Sequence, residues 1–247
     1  QTILENPENI AEQTAFNTFA AELRDDLNDS ISDTEIIEML AQHLITKPVF
    51  DALFEGYSFS SKNPMSLAMQ KVLDILQEHQ LAQEADTLST FYESVKLRAE
   101  GITSAEGKQK IVVELYDKFF SKAFPRMRDK LGIVYTPVEV VDFIIHSVND
   151  LLKSEFGQTL GSEDVHIIDP FTGTGTFITR LLQSGLMSPE EMRRKYRHEI
   201  HANEIVLLAY YIAAINIEAT YHGLTGDDYL PFEGICLTDT FQLYEKE

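Results

Sequence analysis

Nine consecutive residues, Asp169-Pro170-Phe171-Thr172-Gly173-Thr174-Gly175-Thr176-Phe177, combine an acidic start, two glycines and a hydroxyl-rich exit. Gly173 and Gly175 let the backbone take positive φ and pass close to a ligand. A helix starting directly behind them would aim free amides and a positive dipole end at the same point. Three ligand classes use such turns. A phosphate-cradling loop needs a lysine after its glycines, and Thr176-Phe177 stand there instead. A dinucleotide fingerprint needs a third glycine, where Ile178 stands, and an acid about 20 positions on. The candidate acid here, Glu204, lies 31 beyond Gly173. Asp169-Pro170 suits neither polyphosphate; it suits a ligand carrying an ammonium group, as S-adenosylmethionine does. The competing interpretation is a tight strand-to-helix turn without a ligand.

Two further acids share this logic. Glu204, at the end of a β run, can accept hydrogen bonds from two ribose hydroxyls; otherwise it is a glutamate favoured at a helix N-terminus. Asp239, ending a third β run, can accept from an adenine amino group or serve as a helix N-cap. Upstream, Tyr135-Thr136-Pro137 precede an amphipathic helix. Thr136 reads as N-cap, Pro137 as N1 and Glu139 as N3. Val141, Ile144, Ile145, Val148 and Leu152 form the expected buried stripe. With Tyr135 nearby, that helix start can meet a carboxylate.

The elements that must position these groups are legible from periodicity. A helix over Pro137–Lys153 leads to the β run Val165–Asp169, the glycine turn and a helix over Thr176–Ser184. The β run Glu199–Glu204 enters the apolar helix Ile205–Tyr221, and Ile235–Asp239 forms the third β run. Strand–helix–strand–helix–strand predicts a parallel, doubly wound sheet, whose ligands bind at the carboxyl ends of the strands. Asp169, Glu204 and Asp239 are then gathered along one edge. Residues 1–125 read instead as helices. Ser32 with Glu35 makes a capping box, Pro48 and Pro64 sit in first helical turns, and Leu67–Leu81 has helical spacing. Further helices are expected to end near Gly101 and to start at Thr103.

The 247 residues suffice for a core without disulfide staples. One cysteine, Cys236, excludes a disulfide framework and a cysteine metal cluster, fits a reducing cytosol, and reads as a small buried hydrophobe. No signal peptide is visible, and the apolar segment Ile205–Ile217 is too short to span a bilayer. Opening on Gln1 and stopping soon after a third strand, the sequence is expected to be an excised piece of a longer protein. The net charge of −20 is spread evenly: residues 1–125 hold 21 acidic and 10 basic residues, and residues 126–247 hold 19 and 10. Bulk electrostatics therefore opposes phosphate binding. Two basic clusters, Lys118 to Lys130 and Arg193, Arg194, Lys195 and Arg197, read as solvated helix faces.

Together these segments resemble N6-adenine DNA methyltransferases of the order in which Tyr-Thr-Pro precedes Asp-Pro-Phe-x-Gly-x-Gly-x-Phe. The resemblance implies a Rossmann-like methyltransferase sheet, only its front part, preceded by a helical domain: α/β plus all-α. It implies that Tyr135, Thr136 and Pro137 contact the methionine end of the cofactor and that Asp169, Pro170, Phe171, Thr172, Gly173, Gly175, Thr176 and Phe177 wrap it. Glu204 and Asp239 would take its ribose and adenine. The strings Ile45 to Phe54, Gly132 to Phe143 and His201-Ala202-Asn203-Glu204 are closer still to Type ISP restriction–modification enzymes. Those are long polypeptides joining a nuclease, a helicase-like motor, a helical coupler, an adenine methyltransferase and a target-recognition domain. Residues 1–125 would be coupler, and residues 126–247 the cofactor-binding front of the methyltransferase. No Pro-Pro occurs, so the family's catalytic Asn/Asp-Pro-Pro-Tyr/Phe segment is expected elsewhere in the parent.

The expected function is thus a cytoplasmic piece of an enzyme that methylates adenine N6 in DNA, coupled to translocation and cleavage. S-adenosylmethionine would bind here, and ATP and Mg2+ only in other parts of the parent. DNA would be met through those parts, with the remaining domains of the polypeptide as partners, no membrane and no metal. The piece alone is expected to be catalytically inactive. The alternatives are a catalytically silent assembly module, or a methyltransferase for RNA or protein. The helical half is expected to pack against the sheet domain.

Overall fold

Capping chemistry sets where the first helices begin. The Ser32 hydroxyl accepts from the Glu35 amide at 3.3 Å while Glu35 accepts from the Ser32 amide at 2.9 Å, satisfying two donors that a helix start would otherwise leave free. Asn63 does the same for the Ser66 amide at 2.9 Å, directly before Pro64. The structure, a computed structural model, describes residues 2–53, 59–76, 93, 97 and 136–242. They fall within two compact units, residues 1–102 with 241–247, and residues 103–240. The helices expected near Gly101 and from Thr103, the basic cluster Lys118 to Lys130, Tyr135, and the junction between 125 and 126 lie outside the described residues.

The first unit contains α1 (Thr2–Glu5), α2 (Ile10–Asp26), α3 (Asp33–Leu53), α4 (Phe59–Lys62) and α5 (Pro64–Leu76). Helices α2, α3 and α4 pack on α5 through Phe16, Phe19, Leu23, Ile36, Met69, Val72 and Leu73, all buried. Pro48 lies inside α3 and not in a first turn as expected. Its cost of about 3 kcal/mol in a helix interior is offset by the burial of Val49 and Phe50 beside it, at roughly 1.5–3 kcal/mol for each such side chain.

The second unit runs α6 (Val138–Phe156), β1 (Ile167–Asp169), α7 (Thr176–Gln183), α8 (Pro189–Arg194), a π-helical turn (Lys195–Glu199), β2 (Ile200–Glu204), α9 (Leu207–Thr225) and β3 (Ile235–Leu237). The three strands form one parallel sheet in the order β1-β2-β3. Helix α7 packs on α6 and α9, and α9 covers β2 and β3. Every residue of α9 from Leu207 to His222 is buried, as a helix apolar all round requires.

Several local expectations change. Helix α6 starts one residue late: Pro137, at φ −55° and ψ 139°, occupies the cap, and no side chain caps the helix. The extended proline carries Thr136 out of N-cap position, so the expected capping box does not form. Of the expected stripe, Val141 and Ile145 are buried and Asn149 joins them, whereas Ile144 and Val148 are 39% and 42% exposed; α7 covers only the narrower seam. Cys236 is exposed and not buried, because β3 alternates and turns residues 235 and 237 inward.

The cluster at Arg193 to Arg197 is a solvated face only in part: Arg197 is exposed, while Arg193, Arg194 and Lys195 turn to partners. Lys195 is fully buried, pairs with Glu199 at 2.6 Å and donates to the carbonyls of Ser162 and Val165. Arg194 donates to the Gly161 carbonyl, and Glu199 also accepts from the Asp164 amide. Burial pushes the Glu199 carboxyl up, but Lys195 and the Asp164 amide outweigh it and hold it below the usual range. These cations fasten the segment that leads into β1. Arg193 in turn grips Asp227 at 2.8 Å and 2.9 Å, and its guanidinium holds that carboxyl at about 2.

Candidate functional site

Strand β1 delivers Asp169, and strand β2 delivers Glu204, at the carboxyl end of the sheet. The register pairs Asp169 with Ala202, so Glu204 reaches two residues further along the same edge. Between them runs the turn 170–175. Thr172 donates its amide to the Asn203 carbonyl at 3.0 Å and its hydroxyl to the Asp169 carbonyl at 2.9 Å. Gly173 and Gly175 both take positive φ, 57° and 84°, which a side chain would resist. A Cβ on Gly175 would lie 3.2 Å from the Ala213 Cα, whereas one on Gly173 would meet nothing within 4 Å. Gly175 is thus seated against α9, and Gly173 faces open space.

Helix α7 begins at Thr176, as the sequence predicts. Its first amides follow directly on Gly175, the arrangement that favours a negatively charged group at a helix start. Thr172 and Ile178 are buried and Phe171 is 62% exposed, so the turn presents backbone and aromatic surface together.

The two carboxylates differ. Asp169 accepts from the Phe171 amide at 3.3 Å through Oδ1, while Oδ2 is shielded from solvent and has no hydrogen-bond partner. Burial pushes the Asp169 carboxyl up from its ordinary value. An orphaned buried carboxylate oxygen is costly, and a cationic donor would satisfy it. Glu204 is 8% exposed and is already engaged: Oε2 accepts from Gly173 at 2.7 Å and Oε1 from Val206 at 2.8 Å. Burial raises its carboxyl, the backbone amides oppose this, and nearby Asp169 raises it further. Three backbone amides, those of Gly173, Ile205 and Val206, thus hold this carboxylate.

Asp239 does not end a strand, since β3 stops at Leu237. It lies two residues beyond, half-buried. Its neighbour Thr240 does the linking: the hydroxyl donates to the Pro170 carbonyl at 2.7 Å and accepts from the Asn203 side chain at 3.2 Å. Thr136 and Pro137 are exposed at the start of α6. That helix is held to α7 by Arg180, which grips Asp142 at 2.8 Å and 2.7 Å. A cavity of about 360 Å3 opens beside the turn, lined chiefly by Ile144, Val148, Ile168, Asp169, Phe177 and Leu181.

Sequence reasoning gave no role to Asn203, quoted only within the string His201–Glu204, nor to Thr240, Arg180 and Asn216, which belong to no motif. Asn216 leaves a trace, a polar residue interrupting the apolar run Ile212–Ile217. Among the described residues no group of three or more His, Cys, Asp or Glu could hold a metal, and no helix is long and apolar enough to cross a membrane.

Comparison with known proteins adds an independent finding. Residues 1–107 match the family described as Type ISP restriction-modification enzyme, coupler domain. A nuclease-deletion mutant of the Type ISP restriction-modification enzyme LlaGI, solved with a DNA substrate mimic, is 52% identical with a TM-score of 0.88, over 97% of this chain and 20% of that one. The ATP-dependent Type ISP restriction-modification enzyme LlaBIII, bound to DNA, is 53% identical with a TM-score of 0.87, over 96% of this chain and 16% of that one. A DrdV–DNA complex is 32% identical with a TM-score of 0.85, over 97% of this chain and 23% of that one. The chain therefore spans less than a quarter of the length of these solved relatives. No curated protein sequence matches it.

Proposed function

We propose, from the premise that this chain belongs with the Type ISP restriction–modification enzymes, that its second unit binds S-adenosylmethionine as the front of a Rossmann-like N6-adenine DNA methyltransferase domain. The observation that carries this is Asp169: a carboxylate oxygen buried without a partner at the end of β1, beside a turn with two positive-φ glycines. The ammonium of the cofactor is the donor that Oδ2 lacks. Glu204 would take ribose hydroxyls, and Asp239 the adenine amino group. Tyr135, Thr136 and Pro137 would meet the methionine end. When bound, the cofactor supplies an electrophilic methyl group.

What these residues do is bind and orient. The turn from Pro170 to Thr176 fixes the ligand by backbone, and Phe171 and Phe177 exclude water from its flank. In the whole protein we assign methyl transfer to adenine N6 of a flipped base, coupled to ATP-driven translocation and cleavage of DNA. Residues of the first unit would relay between motor and methyltransferase.

Cross-linking with tritiated S-adenosylmethionine under ultraviolet light, followed by peptide mapping, tests the assignment. Label is expected in peptides covering residues 169–177 or 200–206. Label confined to residues 1–76 would contradict it.

A further inference from the structure

Helix α9 approaches the glycine turn through two residues one helical turn apart, Ala213 and Asn216, which share a face. Ala213 is fully buried and sits where a Cβ on Gly175 would fall, 3.2 Å from its Cα and 3.3 Å from its carbonyl oxygen. Asn216, 2% exposed, donates through Nδ2 to the Thr174 carbonyl at 2.9 Å. The opposite arm of the turn is tied elsewhere, with the Gly173 amide on Glu204. The turn thus hangs between a strand-end carboxylate and a helix-borne amide.

We propose that Asn216 is a positioning residue for the ligand site: it sets the curvature of the turn from below and never touches the ligand. The inference deepens the cofactor reading and rests on it for the ligand's identity. Its physical reason is a difference between the two tethers. Glu204 has to share its carboxylate with ligand hydroxyls, so its hold on Gly173 changes when the site fills. Asn216 is buried beneath the turn and keeps Thr174 in place whether or not the site is filled. The ligand then meets the Thr174 arm of the turn already shaped, which lowers the ordering cost of the binding step. The Asn216 side chain also explains a polar residue inside a helix whose neighbours Ile212, Ile215 and Ile217 are all buried.

The test uses the full 247-residue chain and compares Asn216→Ala and Asn216→Ser with Tyr229→Phe. The last removes a hydrogen bond to Glu218, two residues along α9 from Asn216 and on its opposite face, as a control for general loss of stability. Affinity for S-adenosylhomocysteine is read by calorimetry, and amide exchange at Gly173, Thr174 and Gly175 by NMR. Both Asn216 variants are expected to weaken binding roughly three- to tenfold and to speed exchange at the turn amides. Tyr229→Phe is expected to change neither. Wild-type affinity in either Asn216 variant, or turn exchange no faster than in the control, would overturn the proposal. If the wild-type chain bound no ligand, the cofactor reading would fall, and exchange at the three amides would still decide for or against Asn216. The serine variant, which keeps a small polar group, serves if the alanine variant does not fold.

Discussion

Arg180 and Asp142 meet through two parallel hydrogen bonds, 2.8 Å and 2.7 Å long, that tie α7 to α6. Helix α7 grows out of the glycine turn, and α6 follows directly on Thr136-Pro137. The pair therefore joins the two segments that the sequence analysis assigns to one ligand. Both side chains are about a third exposed, so water screens the charge and the fork geometry carries most of the specificity.

Asp142→Asn should lower stability only slightly, as for a water-screened pair, and loosen α6 more than the sheet. Hydrogen exchange across residues 138–156 checks this. Uniform acceleration throughout residues 138–240 would mean that the pair does not act locally.

The two glycines of the turn should respond differently. Gly173→Ala places a methyl group in open space at φ 57° and should cost about 1–2 kcal/mol, the left-handed penalty alone. Gly175→Ala adds a tight approach to the Ala213 backbone at 3.2 Å, which must give by a few tenths of an ångström, and should cost about 1 kcal/mol more. Denaturant titration of both variants is the check. Equal losses would show that the turn does not sit against α9.

Binding should depend on pH through Asp169. Burial raises its folded-state carboxyl above the unfolded value. Its contribution to the stability of the free protein is therefore fully present below the unfolded value and is lost as pH rises through the folded one. A cationic ligand favours the ionised form, so affinity should rise with pH over that same interval. Asp169→Asn should weaken binding and flatten the profile. A wild-type affinity that fell with rising pH there would exclude a cation on Oδ2.

Glu204→Ala should reduce both stability and affinity. The Gly173 and Val206 amides lose a charged acceptor, and such hydrogen bonds contribute roughly 1.5–3 kcal/mol each. Thermal melting with and without S-adenosylhomocysteine separates the two effects. An unchanged melting temperature would mean that these amides find other partners.

The parallel pairing of the strands, the start of α7 and the apolar helix α9 were legible because each follows from short-range pattern: short β runs alternating with helices, glycines before a helix, and apolar residues on every face. The curvature of the turn was not, because Asn203, Thr240 and Asn216 act over separations of 31 to 70 residues. Glu204 reads from sequence as a ligand group or as a glutamate at a helix start, and only the structure shows that it also holds the Gly173 amide. The basic run at residues 193–197 misled for the same reason. Its partners, Gly161, Ser162, Val165 and Asp227, are remote in sequence, so neither charge nor spacing marks the run as internal. The extent of the α6 stripe depends on what α7 covers, which periodicity does not encode.

The most direct test of the central claim is calorimetric titration of the 247-residue chain with S-adenosylmethionine, S-adenosylhomocysteine and NAD, repeated on Asp169→Asn. The orphaned Asp169 oxygen and the absence of a third glycine predict that both methionine-derived ligands bind more tightly than NAD and that the asparagine variant loses this preference. Tighter binding of NAD than of either would contradict the account.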